Sequence, residues 1–170
     1  VKLDVKLEGL DGVLETLKRL PPELVSKRGG PVLASLRKGA RILVKQSRDN
    51  FRAAVAMPGK TGVTDTTGFT EKQIVSKRRR MPGGQKGERI VVTVNPKPHP
   101  TSKGKYRGRT IRANDIAFIM EAGTSKQPAT PWLRPAYDAK REEVLRTVEA
   151  DLTRRVDKIV KQLAKQNEGK

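Results

Sequence analysis

The sequence predicts an α+β fold: a small antiparallel sheet packed by helices, with a long C-terminal helix. Three observations lead there. Short segments alternate or run apolar over strand lengths, two longer segments carry apolar residues at helical spacing, and Gly- and Pro-rich clusters separate them. The 170 residues suit one domain, 1–170. Leu, Ile, Val and Phe make up about 24% of the chain, enough for a core of aliphatic side chains.

In order, Val1, Leu3, Val5 and Leu7 alternate with charged residues, as a half-buried strand does. Asp11 then begins a short helix through Leu20, ended by Pro21 and Pro22. Pro31 fits the first turn of a second helix, where Leu33, Leu36, Ala40, Leu43, Val44, Ser47 and Phe51 share one face. Arg37, Lys38, Arg41, Lys45, Arg48 and Arg52 take the other face. Residues 56–68 read as a loop. "FTEKQIVSKRRR" and "ERIVVTVNP" read as strands joined at Pro82–Gly87. Residues 96–115 are polar, proline-rich and basic, and read as a flexible loop. "DIAFIM" reads as a third strand. After Pro135 the apolar residues recur every three or four positions to Leu163, so a helix over about 136–165 is expected, with part of its stripe needing another helix as cover.

The net charge is +19, and it is concentrated. Residues 31–115 carry 20 basic and 5 acidic side chains. An acidic partner follows: nucleic acid, an acidic protein surface, or both. Lys77, Arg78, Arg79 and Arg80 at the hairpin end, and Lys103, Lys105, Arg107 and Arg109 in the loop, are the candidate contacts. No cysteine is present, and the single histidine, His99, lies between prolines and reads as an exposed loop residue. Catalytic triads and N/S-ligated zinc are therefore disfavoured, and clustered-carboxylate metal sites are disfavoured because the acidic residues are scattered along the chain. No Walker-type loop occurs, no apolar run reaches the ~20 residues of a membrane span, and no cofactor is implied. A soluble protein made in a cytoplasm is expected.

The stretch "MEAGTSKQPATPWLRPAYDAK", Met120 to Lys140, holds the one tryptophan and three prolines within eight residues. Gly123 suggests an unusual backbone angle. Pro128 and Pro131 disfavour helix before them, and Pro135 fits a first helical turn. The stretch reads as a stiff connector in which Trp132 and Leu133 are buried anchors. They pack either on the chain's own core or against a neighbouring subunit.

This stretch resembles the signature of the head–tail joining proteins of tailed bacteriophages, the neck or tail-completion family of long-tailed phages. Glu121, Gly123 and Thr124 match its first part, and Pro128, Ala129, Pro131, Trp132, Leu133, Arg134, Pro135 and Ala136 its second. "TGFTEKQI" and "GLDGVLETLKRL" resemble two further family segments in the same order. Ala122 departs from the family's bulky residue, and the loop 96–115 is longer and more basic than the pattern needs. The resemblance implies a non-enzymatic virion protein, made in the bacterial host cytoplasm. It would form a homo-oligomeric ring of six copies, or alternatively twelve, between the head connector or stopper and the tail terminator or tail tube, near the end of packaged DNA. It also implies a subunit or partner interface at Glu121, Gly123, Thr124, Pro128, Pro131, Trp132, Leu133, Arg134 and Pro135. The alternative from composition is a basic nucleic-acid-binding protein like a ribosomal protein.

Overall fold

The computed structural model describes Glu15 and residues 30–57, 65–84, 87–100, 105–106 and 109–168. The expected N-terminal strand and nearly all of the helix after it lie outside these residues. Helix α1 spans Gly30–Val55. The one-turn helix α2 (Phe69–Lys72) leads into strand β1 (Ile74–Arg79), a 3-10 turn at Pro82–Gly84 and strand β2 (Arg89–Val94). A two-residue ribbon, β3 (Lys105–Tyr106) and β4 (Arg109–Thr110), precedes helix α3 (Ala113–Ala122) and the 36-residue α4 (Leu133–Glu168).

The α+β architecture is as expected, with corrections at three places. "DIAFIM" is helical, not a strand. Ala113, Ile116, Ala117, Ile119 and Met120 are all buried, and a short apolar run reads alike in either conformation. Asp115 decides the start by accepting the Arg112 backbone N–H at 3.0 Å, as an N3 acid does. "FTEK" is a helical turn, because Asp65 accepts the N–H groups of Thr67 and Thr70 and bends the chain there. Finally, 96–115 is not one loop. His99 N–H donates to Ile111 C=O at 3.0 Å and Ala113 N–H to Lys97 C=O at 2.9 Å. These bonds bring the two arms together beneath the β3–β4 ribbon.

The β1–β2 hairpin runs from Ile74 opposite Val94 to Arg79 opposite Arg89. It turns over Gly83, whose φ of +63° suits glycine. Its apolar residues Ile74 and Val92 join the core of α1, α3 and α4.

Helices α1 and α4 pack antiparallel and form the spine. At about 1.5 Å per residue α4 is ~54 Å long, and α1 covers much of the expected stripe. Val144, Val148, Leu152 and Val156 are buried, while Val160 is exposed. Gly39 sets the spacing: a Cβ built there would meet Val148 Cγ2 at 2.5 Å and Val144 Cγ1 at 3.1 Å. Near the other end of α1, Asn50 Nδ2 donates to Trp132 C=O at 3.1 Å.

Asp151 of α4 fastens the pair. Its buried carboxylate accepts from Ser35 Oγ (3.0 Å) and Lys38 Nζ (3.1 Å) of α1, and from Arg154 (2.7 Å) and Arg155 (2.6 Å) of its own helix. The hydrogen bond from Arg155 does most to hold its carboxyl well below the usual range. Burial opposes this, and Lys38, Ser35 and Arg154 add to it.

Two outcomes follow. Gly39→Val should cost about 2 kcal/mol by overpacking, lowering the thermal midpoint by roughly 4–8 °C. An unchanged midpoint in calorimetry would mean that the helices separate without penalty. For Asp151, the folded pKa is depressed, so its contribution is complete above the ordinary aspartate value of about 3.9 and is lost as pH falls below it. Urea titrations between pH 7 and 3 should show Asp151→Asn weaker by about 2 kcal/mol at pH 7 and less pH-sensitive than the parent below pH ~4. Parallel declines would remove Asp151 from the acid response.

Candidate functional site at the head of the long helix

A helix leaves its first N–H groups without intrahelical acceptors and carries partial positive charge at that end. At the start of α4 those needs are met by Glu121, from the last turn of α3. Its side chain is fully buried. Oε2 accepts the N–H groups of Trp132 and Leu133, both at 2.8 Å, and Oε1 accepts that of Arg134 at 3.2 Å. The Arg134 guanidinium lies outside, 72% exposed, with Nε 3.8 Å from Oε1. One carboxylate thus caps a helix that begins twelve residues after it.

The intervening chain must fold back tightly. Gly123 has φ +72°, and a Cβ there would lie 2.7 Å from Ala129 N and 2.9 Å from Gln127 O. Only glycine meets both conditions. Thr124 and Gln127 form an isolated bridge, with Thr124 N–H donating to Gln127 C=O at 2.7 Å. Thr130 N–H donates to Met120 C=O at 2.7 Å. Pro128 and Pro131 restrict what remains.

Trp132 is 1% exposed and Leu133 2%. The indole Nε1–H donates to Ala117 C=O at 3.1 Å, and the ring meets Phe51 of α1 edge-on, centroids 5.4 Å apart. The expected burial of Trp132 and Leu133 is present, and their seat is the chain's own core. The signature residues therefore divide. Glu121, Gly123, Trp132 and Leu133 build the clamp from within, while Thr124, Pro128, Pro131, Arg134 and Pro135 face outward or border solvent.

The basic candidates are less concentrated than their sequence run suggests. Strand alternation sends Arg78 to one side and Lys77 and Arg79 to the other. Arg78 pairs with Glu88, Nε to Oε2 at 2.7 Å. Arg79 stands opposite Arg89, and Arg80 is exposed beyond the strand. Lys103 and Arg107, and the side chains of Lys105 and Arg109, lie outside the described residues.

His99 is a correction: it is buried, not an exposed loop residue. Its Nε2 lies 3.1 Å from Asp65 Oδ1, and its ring meets Phe69 edge-on at 5.2 Å. Burial opposes ionisation of Asp65, but hydrogen bonds from Thr67 and Thr70 outweigh it and hold the carboxyl well below the ordinary range. The same imidazole nitrogen faces both Asp65 and, at 3.5 Å, Thr67 Oγ1. A triad needs the acid on one nitrogen and the nucleophile on the other, so this cluster fits a structural joint. The Asp-Thr-Thr-Gly turn was its available sequence signal. Its partner stands over thirty residues away, and nothing local announces it.

Among the described residues no cluster of three or more His, Cys, Asp or Glu is placed to hold a metal ion, and no helix is long and apolar enough to cross a membrane. Comparison with protein-family models, curated proteins and solved structures finds no match for this chain.

Glu121→Ala should strip three N–H groups of their acceptor and cost roughly 3 kcal/mol, with Glu121→Gln costing about half as much because one oxygen remains. Urea unfolding followed by the single indole measures both. A loss for Glu121→Ala under 0.5 kcal/mol would show that water replaces the cap. The emission of the isolated chain should already be that of a buried indole, and a solvent-exposed spectrum would contradict this packing.

Proposed function

We propose that this protein is a structural component of a tailed-bacteriophage neck, forming a ring that joins the DNA-filled head to the tail. The observation that carries the reading is the Glu121–Ala136 clamp. The residues that resemble the family signature are tied together by one carboxylate, one obligatory glycine and one buried indole. A stiff outer surface of Thr124, Pro128, Pro131, Arg134 and Pro135 results. Such a surface has little conformational freedom to lose on docking, which suits repeated contact between identical subunits. Six copies around the neck axis are proposed, with twelve as the alternative. The neighbours would be the head connector or stopper on one side and the tail terminator or tail tube on the other. The role is mechanical and non-enzymatic, in assembled virions.

The basic nucleic-acid-binding alternative draws on the charge alone and gives no reason for the clamp. Particles lacking the protein should contain filled heads and full-length tails that do not join. Missing tails, or heads empty because packaging never began, would refute the assignment. Arg134→Ser should change stability by no more than about 0.5 kcal/mol yet reduce joining in a complementation assay. Full joining would place the contact elsewhere on the molecule.

A further inference from the structure

Three adjoining grooves run along the outer face of α1. The largest, about 580 Å³, lies between α1 and β1 and includes Arg41, Lys45 and Arg48. The second lies between α1 and α4 and includes Arg37, Arg41 and Arg155. The third joins Arg37 and Arg41 to Arg78 of β1. Among the described residues these grooves are lined by nine Arg or Lys side chains and three carboxylates.

All three carboxylates are already engaged. Asp49 and Glu71 pair with Arg52, and Asp151 with Lys38, Arg154 and Arg155. Arg37, Arg41 and Lys45 have no ion-pair partner among the described residues, and all are exposed. Arg48 keeps its charge while its guanidinium is fixed by donating to Ile74 C=O at 2.8 Å. Uncompensated positive charge therefore collects along one helix face.

We infer that this face binds the phosphodiester backbone of duplex DNA without reading its sequence. The spacing fits. Arg37, Arg41 and Lys45 follow one another at four-residue steps, about 6 Å each along the helix. The resulting ~12 Å stripe spans the rise of three or four phosphates on one strand. The composition of the lining separates this partner from others. An acidic protein would want apolar or aromatic anchors at its centre, and single strands would want stacking rings. The grooves contain no aromatic residue, and their apolar lining is confined to Ala34, Val44, Val75 and Ile90. Arginine forks and lysine point charges suit phosphate oxygens.

The test uses the full chain and a fluorescein-labelled random-sequence duplex of about 25 base pairs, titrated across a salt series. The parent should bind with a steep salt slope. The variant Arg37→Gln/Arg41→Gln/Lys45→Gln should bind at least about tenfold more weakly near 0.1 M salt, with the slope reduced by two to three. A control removing equal charge from the far end of α4, Lys158→Gln/Lys161→Gln/Lys165→Gln, should shift the Kd less than about threefold. Equal weakening of both variants, or no measurable parent binding, would overturn the proposal. So would polyglutamate of matched charge competing as well as unlabelled duplex, which would indicate an acidic polypeptide instead. Should the triple variant fail to fold, Arg41→Gln alone carries the test. It is expected to weaken binding about threefold, and unchanged binding overturns the proposal. The assay needs no ring, so its failure leaves the joining role standing, and failure of joining leaves the groove standing.

Discussion

The Glu121 carboxylate sits where a helix dipole and three orphan N–H groups converge, and much of the remaining geometry depends on its staying there. It ends α3 and starts α4, fixing the direction in which a 36-residue helix leaves the core. A buried carboxylate is costly unless its oxygens are satisfied. Here the cost is offset by donors that would otherwise also be unsatisfied. The same contact draws Trp132 under α3, where its N–H finds Ala117 and its ring finds Phe51. The cap and the apolar anchor are thus coupled: moving either one disturbs the partners of the other.

From that point the helix pair works as a spine fastened along its length. Asn50 holds the start of α4, Gly39 allows the middle to close, and Asp151 binds the far part of the contact through Ser35 and Lys38. The apolar stripe supplies most of the favourable free energy, and these polar and steric features set which residues face each other. A second joint, Asp65 with His99, ties the chain before α2 to the segment leading into the β3–β4 ribbon. It holds residues 96–100, polar and proline-rich, against the turn that leads into α2.

One consequence of packing α1 through a single face is that its opposite face is committed to solvent or to a partner. Charges there that find carboxylates become part of the fold, as with Lys38 and Arg52. The remainder, Arg37, Arg41 and Lys45, add a local field that the fold does not use. The hairpin arginines, conspicuous as a run, are divided by strand alternation and by the Glu88 pair. Charge density in sequence and charge density on the surface are therefore different quantities in this molecule.

The sequence by itself determined the elements whose signals are local and long. The period of 3.6 marked α1 and α4, Pro31 and Pro135 fell in their first turns, and turn residues marked the β1–β2 hairpin. It also marked Gly123 and Trp132, because a glycine among prolines and a lone indole are compositional facts. Only tertiary structure decided that Ile116–Met120 is helical, since five apolar residues satisfy a strand or a buried helix equally and the choice lies with what covers them. The roles of Glu121 and His99 were likewise out of reach. Glu121 serves N–H groups eleven to thirteen residues ahead, and His99 meets an aspartate thirty-four residues behind it. Both depend on where the chain returns in space, and residue type and spacing do not carry that information.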